Sequence, residues 1–261
     1  MGAAKISYLA LALYFLILII PVAIFIYLKI KKVRPLITAV IRMVVQLTFV
    51  ALYLEYIFKW NHPLINVLWV LIIIGVANTS ILKQSGLKFK IFFIHTASAT
   101  ILSVVFIFST MLFLFDVKTF YSSQYLIPIA GMILGNILRS NIITLDRFYS
   151  SLKKRTDEYI YYVTLGATRL EALQPFMAEA LSASASPHIA TIATMGLVSL
   201  PGMMTGQILG GADPTVAIQY QIMIMIAIFT TAVLSTFLAL LFTTIPSIDR
   251  FGRVRGDIFT A

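Results

Sequence analysis

The sequence contains no cysteine and few charged residues. None of its 261 residues is Cys, and only 11% are Asp, Glu, Lys or Arg. Without thiols the chain can form neither disulfide bonds nor thiolate metal sites. Charge is scarce because 60% of the residues are hydrophobic, against roughly 45–50% in soluble domains, and the mean hydropathy is +0.95. We therefore expect an all-α, multi-pass membrane protein that forms a single domain over residues 1–261 and is surrounded by membrane lipid.

The sequence also lacks the local motifs of several enzyme classes. It has no G-x-x-x-x-G-K-[ST], no H-E-x-x-H and no G-x-S-x-G. The chain therefore cannot bind ATP through a P-loop, and we expect neither catalytic activity nor a bound cofactor. Its net charge of +10 does not indicate nucleic acid as a partner, because the basic residues are interleaved between apolar stretches. These residues report the orientation of the chain in the membrane instead.

Seven apolar stretches are long enough to cross a hydrocarbon core of about 30 Å. They cover 6–28, 36–58, 64–82, 91–115, 125–145, 189–209 and 216–242. Fifteen of the 20 Lys and Arg residues fall in alternate connections, namely 29–34, 83–90, 146–188 and the region after 242. Because basic connections stay in the cytoplasm, the sequence predicts about seven transmembrane helices, with the N-terminus outside and the C-terminus cytoplasmic.

The longest of these cytoplasmic connections, 146–188, has the pattern of two short amphipathic helices. Thr168 and Glu171 have the spacing of a capping box, which marks the start of a helix. Gly166 suits the left-handed residue that ends the helix before it, and we expect Pro175 to bend or restart the chain after it. A helix pair of this kind either meets a soluble partner or only joins two spans at the membrane surface.

The stretch "LGATRLEALQP" in this connection resembles the latter part of the cytoplasmic EAA loop of ABC transporter permeases. In that family the helix pair docks into a groove of the ATP-binding subunit, so the resemblance implies a separate ATPase partner. Where the family has its Glu-Ala-Ala triplet, this chain has Ile160, Tyr161 and Tyr162. The candidate residues of the ATPase-coupling loop are Glu158, Gly166, Thr168, Arg169 and Glu171.

The sixth apolar stretch contains residues that do not favour a regular helix. Pro201 removes a backbone donor, and Gly202 and Gly206 permit non-helical torsions. Such a break is tolerated in a membrane where it faces a cavity, and it suits a hinge or a transport path. The alternative is that the glycines let helices pack closely. The candidate hinge or path residues are Ser199, Pro201, Gly202, Met203, Met204, Thr205, Gly206 and Gln207.

From Gly196 onward, "GLVSLPGMMTGQILGGADPTVAIQYQIMIM" resembles the FetB-type permeases of bacteria. These are regarded as iron-export ABC permeases, and related plant permeases are linked to aluminium tolerance. The resemblance implies a permease subunit of a bacterial-type inner membrane that exports iron or a metal-related solute. It also implies a homodimer of the permease, with ATP and Mg²⁺ bound by the partner subunit. A seven-helix receptor or sensor and a secondary transporter remain alternatives.

Several polar side chains fall inside the apolar stretches, namely Arg42, Gln46, Glu55, Asn136 and Arg139. Intramembrane charge is costly, so we expect these residues to face the bundle interior or a water-filled cavity. Arg42 is also close enough to the cytoplasmic end to snorkel, and Glu55 suits the external interface. No residues have the spacing of a metal site, so the metal ligands are unknown from the sequence, and the methionines are expected to pack.

Overall fold

The computed structural model describes residues 7–114, 122–249 and 253–258, and these form an all-helical bundle. The all-α prediction is thereby confirmed. Two 3₁₀ turns, Phe15–Leu18 and Gly256–Ile258, accompany the α-helices. In this part of the chain the α-helices are α1 (Tyr8–Tyr14), α2 (Ile19–Tyr27), α3 (Val33–Trp60), α4 (Pro63–Gln84), α5 (Phe89–Leu114), α6 (Ser123–Lys154), α7 (Thr156–Thr164), α8 (Arg169–Thr194), α9 (Gly202–Leu209) and α10 (Pro214–Ser247).

Six helical stretches of the described residues are long and apolar enough to cross a membrane. They are Tyr8–Tyr27, Val33–Trp60, Pro63–Gln84, Phe89–Phe113, Ser123–Lys154 and Pro214–Ser247. Each overlaps one predicted span, although residues 6 and 115 of those spans lie outside the described residues. The predicted span 189–209 is not among them, because α8 ends at Thr194 and α9 begins at Gly202.

The centre of the bundle is built from α4, α5, α6 and α10. Helices α6 and α10 run parallel, because contacts along both keep a constant offset in sequence. Tyr125 stacks on Tyr220 with ring centroids 6.1 Å apart, and the Tyr149 hydroxyl donates to the Thr243 carbonyl over 3.0 Å. Helix α4 starts at the same end of the bundle, since the side-chain oxygen of Asn61 accepts from the Ser123 amide at 2.8 Å.

Helix α8 runs antiparallel to α6 and packs along it. In the first half of α8, Glu179 pairs with Arg147 at 2.8 Å, and further along α8 the His188 ring lies 2.7 Å from the Ser140 hydroxyl. The chain therefore leaves the far end of α6 and travels back along the bundle through α8. It must do so because α10 starts beside the first residues of α6.

The N-terminal helices are attached loosely to this centre. Of residues 7–60, all of which the structure describes, only Ile57 is buried. The tilted contact of Tyr53 with Trp69, at 4.4 Å between centroids, links α3 to α4. The apolar surface of α1 to α3 is consequently left for lipid or for another protein chain.

The C-terminal residues close the opposite end of the bundle. Ile248 and Val254 form an antiparallel bridge, and the Lys88 amide donates to the Ile258 carbonyl at 3.0 Å. Ile258 is fully buried in the same apolar cluster as Phe92. This fixes residues 253–258 against the start of α5.

The predicted connection 146–188 is mostly helix, which corrects both its length and its form. Helix α6 continues to Lys154, and α8 passes through Pro175 and Pro187 without ending. Each proline removes one hydrogen bond from the helix ladder. Phe176 and Ala180, however, are fully buried against the bundle, and we infer that this packing offsets the lost bonds.

Candidate functional site

The turn between α7 and α8 depends on one left-handed glycine. Gly166 has φ +93°, and its amide donates to the Val163 carbonyl at 3.1 Å as α7 ends. A β-carbon added at this position would meet nothing within 4 Å, so only the backbone torsion requires glycine. The left-handed conformation predicted for Gly166 is confirmed.

The predicted capping box at the start of α8 is present. The Thr168 amide and hydroxyl both donate to Glu171 Oε2 at 2.7 Å, and the Glu171 amide donates back to the Thr168 hydroxyl at 3.4 Å. The hydroxyl of Thr168, and then its amide, hold the pKa of the exposed Glu171 below its usual value. The cap satisfies amides that would otherwise lack partners at a helix N-terminus.

Helix α7 buries one face and exposes the other. Tyr159 is fully buried, and this burial raises its pKa, while Arg169 nearby lowers it. Ile160 and Tyr161, which replace the first two residues of the Glu-Ala-Ala triplet, are exposed, and Tyr162 is half-buried. The exposed face continues over the turn. We call the exposed side chains Ile160, Tyr161, Leu165 and Leu170 the turn surface.

A cluster of charges that the sequence analysis did not single out ties α6, α7 and α8 together. Arg155, at the junction of α6 and α7, contacts Glu179 of α8 at 2.6 Å and Glu158 of α7 at 3.4 Å. Its guanidinium also lies 4.6 Å from the centre of the Phe176 ring. The signal in the sequence was a single carboxylate, Glu179, in an otherwise uncharged entry to the predicted span. Its partners could not be identified without the antiparallel packing of α6 and α8.

The predicted coupling residues are therefore brought together only in part. Gly166, Thr168 and Glu171 form the turn and its cap. Glu158 belongs to the Arg155 cluster. Arg169 is the first residue of α8, lies exposed, and interacts with the buried Tyr159.

The second candidate region is the segment 195–201 between α8 and α9, which we call the break segment. Gly196 has φ +86°, and its amide donates to the Ser199 carbonyl at 3.0 Å. Pro201 is the N-cap of α9 with extended backbone. The break is thus present, but its left-handed residue is Gly196 and not one of the predicted hinge residues.

The role predicted for Gly202 and Gly206 in breaking the helix is wrong. Both lie inside α9, where Gly202 is the first residue. Pro201 does not interrupt a helix either, because it stands where α9 begins, and a chain emerging from an extended proline can start a helix without losing a ladder bond. A β-carbon at Gly202 or Gly206 would meet nothing within 4 Å, so close packing within this chain does not require them.

The polar and sulfur side chains of α9 point partly into the bundle. Met203 packs against the apolar cluster of α4, α5, α6 and α10, and Met204 and Thr205 are half-buried. The Thr205 hydroxyl donates to the Pro201 carbonyl at 3.0 Å. The side-chain oxygen of Gln207 is buried and has no hydrogen-bond partner among the described residues.

The predicted intramembrane polar residues do not share a site. Arg42 and Gln46 are exposed on α3, so the expectation that they face the interior is wrong within this chain, because α3 barely packs on the bundle. Glu55, also exposed, pairs with Lys59 at 2.7 Å. Asn136 is half-buried and donates to its own helix at Met132, while Arg139 is exposed.

No group of three or more His, Cys, Asp or Glu side chains that could hold a metal ion occurs among the described residues. His188 contacts Ser140, and His95 contacts the Ile91 carbonyl of its own helix at 3.0 Å.

Comparison with known proteins places the chain in a family. The model of the uncharacterised protein family UPF0014 matches residues 8–245. The UPF0014 membrane protein YjkA of Bacillus subtilis is 32% identical over 243 residues, which cover 93% of this chain and 95% of YjkA. No solved structure matched the chain.

Two further relatives carry functional names. The "Probable iron export permease protein FetB" of Escherichia coli is 31% identical over 243 residues, covering 92% of this chain and 91% of FetB. "Protein ALUMINUM SENSITIVE 3" of Arabidopsis thaliana is 33% identical over 192 residues, covering 73% and 68% of the two chains. The resemblance to FetB-type permeases drawn from the motif after Gly196 is confirmed, and the chain belongs to the UPF0014 family of membrane proteins.

Proposed function

We propose that the chain is the permease subunit of an ABC transporter that exports iron or a metal-related solute. A separate subunit binds ATP and Mg²⁺ and hydrolyses the nucleotide, and two copies of the permease form the path. The cargo is proposed from the name of the Escherichia coli relative, an iron export permease. The ATPase partner is proposed from the resemblance of the α7–α8 turn to the EAA loop.

The observation that carries this proposal is the turn surface. Tyr161 and Leu165 are 61% and 68% exposed, yet they lie outside every stretch that is long and apolar enough to cross a membrane. Exposed apolar side chains on a fixed helix–turn–helix are suited to docking another protein. The capping box and the Arg155 cluster hold that surface in one orientation relative to α6 and α8.

The topology we propose has seven crossings, an external N-terminus and a cytoplasmic C-terminus, in a bacterial-type inner membrane. Parallel packing of α6 and α10 supports this count, because residues 155–213 must then return across the same thickness. Helix α8, the break segment and α9 supply that return as a discontinuous crossing. The basic residues at the far ends of α2, α4, α6 and α10 support the orientation.

The proposed homodimer is supported by the N-terminal helices. Only Ile57 of residues 7–60 is buried, and Arg42 and Gln46 lie exposed on an apolar helix. A second copy would cover part of this surface and shield these side chains from lipid.

The test compares two leucines of similar exposure. Leu165 is 68% exposed on the turn surface, and Leu64 is 73% exposed at the start of α4, at the opposite end of the bundle and outside the proposed dimer surface. We expect Leu165→Ala to reduce co-purification of the proposed ATPase subunit and to lower ATP-driven export from vesicles, while Leu64→Ala leaves both unchanged. Export that persists without ATP would contradict an ABC transporter and favour a secondary transporter. Equal ATPase binding by both variants would remove the turn surface from the interface.

A further inference from the structure

A small polar cavity lies between the last turns of α6 and the first half of α8. Its volume is about 210 Å³, and it is lined by Arg147, Ser150, Ser151, Lys154, Arg155 and Glu179. The larger cavities between α4 and α5, between α5 and α10 and between α8 and α10 are lined mainly by apolar side chains. We call the polar cavity the basic pocket.

The basic pocket has an excess of positive charge. Three of its lining residues are basic and one is acidic. Glu179 accepts hydrogen bonds from Arg147 at 2.9 Å and from Arg155 at 2.6 Å, so both of its carboxylate oxygens have a basic partner. Lys154 has no ion pair among the described residues. Arg147 uses Nε for its hydrogen bond and Nη2 for its ion pair with Glu179, which leaves its Nη1 group without a partner there.

We propose that the basic pocket binds the phosphate group of an anionic phospholipid. Lys154 and Arg147 supply the charge, and the Ser150 hydroxyl supplies a neutral donor, while Arg155 stays on Glu179. Lysine and arginine donors form strong, charge-assisted hydrogen bonds with phosphate, and basic residues at a membrane surface attract anionic lipids. The volume is below the roughly 300–1,000 Å³ of typical small-molecule sites, so the pocket suits a single phosphate group better than a whole small molecule.

The position of the basic pocket favours a lipid over a soluble phosphate. The apolar stretch 125–145 of α6 ends two residues before Arg147, so the pocket lies where the hydrocarbon region gives way to headgroups. Basic pockets between transmembrane helices on the cytoplasmic side are a recurrent site for anionic headgroups. The lipid site rests on the proposed function only in that the pocket is taken to face the cytoplasm. Binding of the lipid itself needs neither ATP nor the ATPase subunit.

The experiment titrates the purified full-length protein in neutral detergent with short-chain phosphatidylglycerol and follows the midpoint of thermal unfolding. Phosphatidylcholine with the same acyl chains controls for bulk lipid, and inorganic phosphate tests the soluble source. The variant is Lys154→Gln, whose lysine makes no ion pair in the described structure. Lys90→Gln, an exposed lysine at the same end of the bundle, is the matched control.

We expect phosphatidylglycerol to raise the midpoint of the wild type and of Lys90→Gln equally. In Lys154→Gln the apparent affinity should fall about fivefold, since one basic residue near an anionic surface contributes about 1 kcal/mol. Phosphatidylcholine and inorganic phosphate should produce no comparable shift. Equal affinity of the three proteins for phosphatidylglycerol would show that the basic pocket is not the binding site. A shift of the midpoint with inorganic phosphate alone would show that the pocket binds soluble phosphate and not a phospholipid. Export that persists without ATP, together with normal lipid binding, would count against the proposed function and leave the site intact.

Discussion

Four described glycines have left-handed backbones, and the two that flank α8 differ in their surroundings. Gly166 has φ +93° between α7 and α8, and Gly196 has φ +86° between α8 and α9. Next to Gly166, Tyr159 and Ala172 are buried, and the capping box and the Arg155 cluster hold the two helices. The turn at Gly166 is therefore braced from both sides.

The break segment around Gly196 has little of this support. Helix α9 has no buried residue, and Leu197 and Val198 are 91% and 81% exposed. Segments that have few buried contacts and solvent-exposed backbone hydrogen bonds open locally at a low free-energy cost. The left-handed glycine thus lies in a braced turn at Gly166, which is suited to transmit force from a partner. At Gly196 it lies in a weakly packed segment, which is suited to change shape.

The largest effects should come from placing valine at each glycine. Gly166→Val and Gly196→Val introduce the same strain, about 1–2 kcal/mol, because a side chain is disfavoured at positive φ. We expect Gly166→Val to lose the proposed ATPase subunit in co-purification. Gly196→Val should keep that subunit and lose at least about tenfold in ATP-driven flux, since it would alter the proposed discontinuous crossing.

These two variants control for each other, because a β-carbon has free space at both positions. If both lose the ATPase subunit equally, the strain acts through general misfolding and the comparison fails. If Gly196→Val transports normally, the break segment is not part of the moving path.

Glu179→Gln tests the bracing of α8 against α6. The carboxylate accepts hydrogen bonds from Arg147 and Arg155 at 2.9 and 2.6 Å, and hydrogen bonds to charged groups contribute about 1.5–3 kcal/mol. The side chain of Glu179 is partly exposed, and solvent screening reduces the contribution of its hydrogen bonds. We therefore expect Glu179→Gln to lower the free energy of unfolding by about 1–2 kcal/mol in denaturant titrations. Glu55→Gln removes an equally short ion pair that is 66% exposed on both sides, and it should cost less than about 0.5 kcal/mol. Equal losses in the two variants would show that the Arg155 cluster is no more than a surface ion pair.

Local patterns predicted the braced turn better than the break. A capping box and a glycine turn are decided by neighbours within three residues, so Thr168, Glu171 and Gly166 could be placed from the sequence. The ion pairs of Glu179 join residues 24 and 32 positions apart. Such pairs depend on which helices pack against each other in antiparallel orientation, and local sequence patterns do not show this.

The break was predicted in the right region for a reason that was partly wrong. Pro201 and Gly202 look like interruptions when a stretch is read as one helix, but they form the start of α9. Conversely, Pro175 and Pro187 remain inside α8. Proline alone therefore does not locate a helix end when packing of neighbours such as Phe176 holds the helix together.

Thr168→Ala should weaken the start of α8 without dissolving the fold. Loss of the N-cap hydroxyl costs about 0.5–2 kcal/mol of local helix stability, and the Arg155 cluster remains to hold the helix. We expect faster hydrogen exchange at the amides of Glu171 and Ala172, with no change at the centre of α6. Thr164→Ala is the control, because this hydroxyl donates only to a carbonyl of its own helix, that of Tyr161, at 2.8 Å. If hydrogen exchange at Glu171 and Ala172 were accelerated equally in both variants, the Thr168 hydroxyl would not be what protects these amides.

The smallest effect should be the dependence of this cap on pH. Thr168 lowers the pKa of Glu171, so the folded cap binds a proton less readily than the unfolded chain does. The stabilisation is therefore complete above the ordinary glutamate pKa of about 4.3, and it is lost as the pH falls through the lower folded value. Hydrogen-exchange protection of the first turn of α8, corrected for intrinsic rates, should fall between neutral pH and this acid range. Glu171→Gln keeps a side chain that can still close a capping box but cannot titrate. In this variant the hydrogen-exchange protection of the first turn of α8 should not change with pH. The same fall in the glutamine variant would assign the pH dependence to another group, and the braced turn would then owe nothing to the ionised carboxylate.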